Sequence, residues 1–112
     1  MTKRILVVED QADLRGILRD LLTGSGYDVV EASDGRDGVV KAKSERPDLI
    51  LMDIQLPVID GYETTRQIRT DPNLKATPII AALAKIIALF ISFPRLAYNT
   101  NGRFTSEFQS SR

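Results

Sequence analysis

Apolar positions along this chain follow two alternating rhythms. Residues 5–8, Ile-Leu-Val-Val, form a continuous apolar run rich in β-branched side chains, as in a strand buried on both faces. The run ends at Glu9-Asp10, and from Gln11 the period changes. Leu14, Ile17, Leu18, Leu21 and Leu22 recur at i, i+3, i+4, i+7 and i+8, one stripe of a helix that Gly24-Ser25-Gly26 brings to an end. Residues 27–31 then read as a second strand. Ser33-Asp34-Gly35 supplies capping chemistry for a helix over roughly 35–44, stopped by the approach to Pro47. Residues 48–53 are a third strand with a carboxylate at the far end. A loop with two breakers, Pro57 and Gly61, leads to a helix over 62–70 closed by Asp71-Pro72-Asn73, and residues 77–82 (TPIIAA) read as a fourth short strand.

Strands alternating with helices mean βαβ units, hence an α/β fold with a doubly wound parallel sheet and right-handed crossovers. In such sheets ligands bind outside the carboxyl ends of the strands, where the winding reverses. Glu9, Asp10 and Asp53 stand at those ends. After Ala82 the alternation stops. Residues 85–97 are apolar without a period of two or of 3.6, and the last fifteen are polar, with the Ser/Asn/Gln/Arg flavour of a poorly ordered terminus. The division expected is a body over 1–82 and a divergent tail over 83–112.

Composition narrows the chemistry. The 112 residues include no cysteine and no histidine, which excludes disulfides, thiolate metal sites and the commonest general base. Catalysis or ligation must run on carboxylates, hydroxyls, lysines or an oxygen-bound metal. Charge is uneven: residues 1–82 carry 11 basic and 14 acidic side chains, whereas 83–112 carry Lys85, Arg95, Arg103 and Arg112 against Glu107 alone. An acidic body argues against nucleic acid as a partner. The start, MTKRILVVED, is too short and charged for a signal peptide, and the apolar stretch 79–89 is broken by Lys85 and short of a membrane span. A cytoplasmic protein is expected.

Three carboxylates at one edge repel one another and raise one another's pKa unless a cation neutralises them. With oxygen the only donor and few carboxylates on offer, Mg²⁺ suits the site better than Ca²⁺, and it readily bridges to phosphate. An aspartate beside it can attack phosphorus and carry the phosphoryl group as an acyl phosphate. Taken singly, Asp10 reads as well as a helix cap and Asp53 as a turn residue. Their convergence points to a shared site.

ILVVEDQADLR, DGRDGV, RPDLILMDIQLPVIDGYE and TPIIA, in that order and spacing, resemble the receiver domain of bacterial two-component response regulators, through residues 1–82. The MDIQLP variant is similar to the single-domain regulators of cell-cycle and differentiation control. The resemblance implies a flavodoxin-like sheet of order 2-1-3-4 and a phosphoacceptor role for Asp53. It implies Mg²⁺ ligation by Asp10, Asp53 and the Gln55 backbone carbonyl, with Glu9 acting through water. Pro57 and Gly61 match the turn residues that shape the loop after the acceptor. The implied donor is a phosphohistidine on a sensor kinase or histidine phosphotransfer protein. Such a domain is a phosphoacceptor that catalyses only its own phosphorylation and dephosphorylation, not an enzyme acting on other substrates. A haloacid-dehalogenase-like hydrolase would need an acid where Gln55 stands, and a dinucleotide site would need glycines where Glu9-Asp10-Gln11-Ala12 stands.

The sequence also departs from the family. The switch Ser or Thr ending the fourth strand falls on Ala82 or Leu83, and the Lys-Pro pair of the fifth strand has no counterpart, since Lys85 is too early and Phe93-Pro94-Arg95 lacks the lysine. Tyr98 does not sit in the context of the family's aromatic switch. The fifth strand and last helix are expected to be missing or replaced, as in a frame-shifted or truncated product. The apolar segment 86–93 is an alternative cover for that flank, and residues 83–97 a candidate homodimer contact. These departures leave a second functional reading, an interaction module uncoupled from phosphorylation. Leu14, Ile17, Leu18 and Leu21 are expected in the core, and Gln11, Asp13 and Arg15 on a solvated face within reach of a kinase. Ile59 and Tyr62 are expected to pack locally, and Arg66 and Arg69 to belong to a solvated helix face.

Overall fold

The computed structural model describes residues 2–53 and 56–81. Within them the chain runs β1 (Arg4–Val8), α1 (Ala12–Gly24), β2 (Asp28–Ala32), α2 (Gly35–Glu45), β3 (Leu49–Met52), α3 (Gly61–Arg69), a 3₁₀ turn (Pro72–Leu74) and β4 (Ile79–Ala81). All strand pairs are parallel and the order is β2-β1-β3-β4, as the resemblance implies. The expected absence of a fifth strand and last helix, the 83–112 tail and the 83–97 dimer contact fall outside the described residues.

The continuous apolar runs are explained by helices on both faces of the sheet. On one face Leu6, Val8, Ile50 and Met52 pack with Val39 and Ala42 of α2, Ile68 of α3, Leu56 and Leu74. On the other, Ile5, Val7, Leu49 and Leu51 pack with Leu18 and Leu22 of α1. Side chains alternate between faces at period two, so a strand covered on both sides needs apolar residues throughout. One expected core residue departs from this. Ile17 is 49% exposed, because α1 meets the sheet along Leu18 and Leu22 and position 17 lies about a quarter-turn away from that line. Leu14 and Leu21 are half-buried at its margin.

Helix starts follow the capping signals. Asp34 accepts from the Asp37 N–H at 2.8 Å, and Asp60 accepts from the Glu63 N–H at 2.8 Å. At the amino ends of the strands, Arg4 ties β1 to β2, to α2 and to the residue that precedes β3. Its N–H donates to the Asp48 carboxylate, and its guanidinium donates to the Asp28 carboxylate and the Glu45 carbonyl. The strands are thereby registered at that end, leaving the opposite, carboxyl ends to form the site.

Arg69 corrects a second expectation. Instead of facing solvent, its guanidinium donates to the carbonyls of Leu74, Lys75 and Thr77 at 2.7, 2.9 and 2.7 Å, tying the loop into β4. The long side chain reaches those carbonyls because the 3₁₀ turn folds the loop back along the end of α3. Arg66 is exposed as expected and pairs with Glu63. Tyr62 is 71% exposed rather than packed, since α3 turns Thr64 and Ile68 toward the sheet and position 62 away from it, whereas Ile59 packs against the core.

Candidate functional site

β1 and β3 are neighbours in the centre of the sheet, and the order reverses between them: β1 is followed by a crossover to β2 on one side, while β3 lies on the other. Val8 pairs with Met52, so the next residues of the two strands emerge side by side. The ladder continues into them. The Glu9 N–H donates to the Ala32 carbonyl at 3.0 Å, and the Asp53 N–H to the Val8 carbonyl at 3.1 Å. Strand register, rather than a flexible loop, therefore sets where these two residues stand.

Glu9, Asp10 and Asp53 each present a carboxylate oxygen within 4.8 Å of the others. Their environments differ. Glu9 is buried, only 2% exposed, Asp53 is half-buried and Asp10 is exposed. Burial pushes the Glu9 carboxyl up to about 7, against the opposing hydrogen bond from the Gln11 N–H, and the neighbouring Asp10 and Asp53 add to the rise. An unneutralised carboxylate in that position is costly, and a cation bound beside it would offset that cost. The donor set is entirely oxygen, and Mg²⁺ holds oxygens at roughly 2.0–2.1 Å while keeping several waters. A compact group of three carboxylates fits such a hydrated ion.

The competing reading of Asp10 as a helix cap has no support in the geometry. The residue at the N-cap of α1 is Gln11, and α1 has no side-chain cap bond. Asp10 instead faces the other two acids. Gln55, the expected carbonyl ligand, lies outside the described residues.

Within the site, Arg15 departs from the solvated position expected of it. Its guanidinium donates to the Glu9 carbonyl at 2.7 Å and to the Glu31 carboxylate at 3.3 Å, so it faces the acidic turn, not bulk solvent. The signal was available: Arg15 is four residues after Gln11, and helical side chains lean back over the preceding turn. Gln11 and Asp13 are exposed as expected. The loop after β3 holds a second surprise. Val58 adopts φ 71°, with the Ile59 N–H donating to the Pro57 carbonyl at 2.9 Å across it. That is a tight three-residue turn, a conformation β-branched residues seldom take.

The model of the response regulator receiver domain family matches residues 5–86, nearly three quarters of the chain. The chain belongs to the response regulator receiver domain family. Receiver domains are signalling modules of two-component systems that interact with histidine kinases or phosphotransfer proteins, and they bind Mg²⁺ at an acidic site. Relatives of this receiver include the alkaline phosphatase synthesis transcriptional regulatory protein PhoP of Bacillus subtilis, 44% identical over 85 residues. That match covers 76% of this receiver but 35% of PhoP, so the chain spans about a third of that relative. The polar-differentiation response regulator DivK of Brucella ovis is 40% identical over 84 residues, covering 75% of this receiver and 68% of DivK. Among solved structures, the receiver domain of the sensor histidine kinase PA1611 from Pseudomonas aeruginosa superposes with a TM-score of 0.69 at 42% identity. The superposition covers 72% of this receiver and 66% of that chain, whose structure holds a magnesium ion coordinated in the active-site cleft. No helix among the described residues is long and apolar enough to cross a membrane.

Proposed function

We propose that this receiver accepts a phosphoryl group on Asp53 with Mg²⁺ held by Asp10, Asp53 and the Gln55 backbone carbonyl, and by Glu9 through water. The observation that carries the reading is the convergence of three carboxylates from β1 and β3 at the switch point of the sheet. One oxygen of the ionised Asp53 carboxylate attacks phosphorus. A P–O bond to Asp53 forms as the bond from phosphorus to the donor's leaving group breaks, and the leaving group departs with that electron pair. For a phosphohistidine donor the departing atom is an imidazole nitrogen, and this chain, lacking histidine, borrows that group from a kinase or phosphotransfer protein. When bound, Mg²⁺ offsets the negative charge on the transferring oxygens.

The chain's own residues arrange this. The Asp53 N–H on the Val8 carbonyl places the nucleophile at the end of a rigid strand. Glu9, accepting from the Gln11 N–H at 3.0 Å, is held beneath the edge, and Asp10 fills the outward side. The product is a signal state of the domain itself, so the protein acts on no separate substrate and its partners are proteins rather than nucleic acid. A cytoplasmic setting follows from such partners.

A second reading draws on one position. Where the family places a switch hydroxyl the chain has Ala82 or Leu83, which leaves no hydroxyl there to read out the phosphate. On that reading the domain binds partners without coupling them to phosphorylation. Incubation with Mg²⁺ and acetyl phosphate, followed by intact-mass measurement, separates the two. One added phosphoryl group, lost in Asp53→Asn, supports the acceptor. A folded protein that gains no mass contradicts it and leaves the interaction module.

A further inference from the structure

We infer that Arg15 is a positioning residue for the acidic edge, fixing the turn over residues 9–11 in the arrangement that lets Glu9, Asp10 and Asp53 share one divalent cation. The inference rests on the receiver reading above and extends it to a residue that makes no contact with the cation.

Four hydrogen bonds clasp this turn. The Glu9 N–H donates to Ala32, the Gln11 N–H donates to the Glu9 carboxylate, and the Arg15 N–H donates to the Gln11 carbonyl at 2.9 Å. The fourth runs from the Arg15 guanidinium to the Glu9 carbonyl, the oxygen of the peptide that joins Glu9 to Asp10. Holding that oxygen fixes the orientation of the peptide plane, and so the direction in which the Asp10 side chain leaves the backbone. The same guanidinium is anchored on the Glu31 carboxylate, next to the residue that ends β2. Arg15 thus ties the end of β2 to the turn that carries two of the three acids. Asp10 is exposed, and none of the hydrogen bonds named here comes from its own backbone, so its placement depends on these neighbours. Arginine suits the task because one planar fork can serve a carbonyl and a carboxylate together.

Electrostatics and positioning predict opposite results, which makes the inference testable. Removing a positive charge next to an acidic site favours cation binding by simple Coulomb attraction. Losing the clasp weakens it, by roughly 10-fold or more if Arg15 acts as outer partners of metal ligands commonly do. The experiment titrates the full chain with Mg²⁺ alone, by calorimetry, for wild type, Arg15→Gln, Arg15→Lys and Arg19→Gln, with the Mg²⁺-free Tm of each. Arg19 also pairs with Glu31 but makes no bond to the turn, so its variant reports the cost of losing a Glu31 bridge. The expected result is a higher Kd for Arg15→Gln, a smaller rise for Arg15→Lys and none for Arg19→Gln. Should Arg15→Gln fail to fold, Arg15→Lys carries the test, because one ammonium does not span both partners. An unchanged or lower Kd in the Arg15 variants, with wild type binding Mg²⁺, overturns the inference alone. A wild-type chain that binds no Mg²⁺ overturns the receiver reading and the inference with it.

Discussion

Val58 carries the clearest local conflict between sequence and backbone. Its φ of 71° is a region that glycine occupies freely and a β-branched residue occupies at a cost of about 1–3 kcal/mol. The side chain is exposed, so no packing offsets that cost. Val58→Gly is expected to stabilise the fold by about 1 kcal/mol, the relief of strain outweighing the extra flexibility of glycine in the unfolded chain. Chemical denaturation checks it, and a loss of stability would show that Val58 holds the loop through contacts of its side chain. At this scale the sequence was informative about chemistry and silent about conformation. Glu9, Asp10 and Asp53 announced themselves as acids at strand ends. Nothing in Pro57-Val58-Ile59 announced a left-handed valine, because the loop's shape is dictated by the elements it must join.

At the scale of elements, every strand and helix expected over 5–81 is present, with ends displaced by a residue or two. The helix caps at Asp34 and Asp60 and the breakers at Gly24 and Pro47 made this legible, since each is a local interaction written in adjacent residues. What pattern reading missed were side chains whose partners lie on another element. Ile17 belongs to the apolar stripe but falls off the line where α1 meets the sheet. Arg69 looks like one more solvated cation, yet it bonds three carbonyls of the segment leading into β4. A charged donor shared among backbone carbonyls contributes about 1.5–3 kcal/mol. Arg69→Leu should therefore lower stability by roughly that amount, whereas Arg66→Leu, on the exposed face beside it, should change it by less than about 1 kcal/mol. Equal effects from the two variants would contradict this division of roles.

The whole molecule adds what neither residues nor elements contain: a common edge. Alternation of strands and helices predicts a parallel sheet, but only the order β2-β1-β3-β4 and the Val8–Met52 register set Glu9 beside Asp53. Folding then forces acids together, with a consequence for stability against pH. The Glu9 carboxyl is raised from its ordinary 4.5 to about 7 in the folded chain. Between those values the folded state binds more protons than the unfolded one, so stability is greatest below the lower value and falls as pH rises through the window. A cation that binds the ionised cluster restores it. Mg²⁺ should therefore raise Tm more at about pH 8 than at about pH 5, where protons compete for the same oxygens. A Mg²⁺ effect independent of pH would place the ion elsewhere on the molecule.

The central claim is that the acidic edge exists to make Asp53 a phosphoacceptor, and the most direct test locates the phosphoryl group. The full chain is treated with acetyl phosphate and Mg²⁺, trapped with borohydride, which reduces an aspartyl phosphate to homoserine, then digested and mapped by mass. The prediction is homoserine at position 53 alone, dependent on Mg²⁺ and greatly reduced in Asp10→Asn. Homoserine at another aspartate, or none at all in folded protein, would contradict the account.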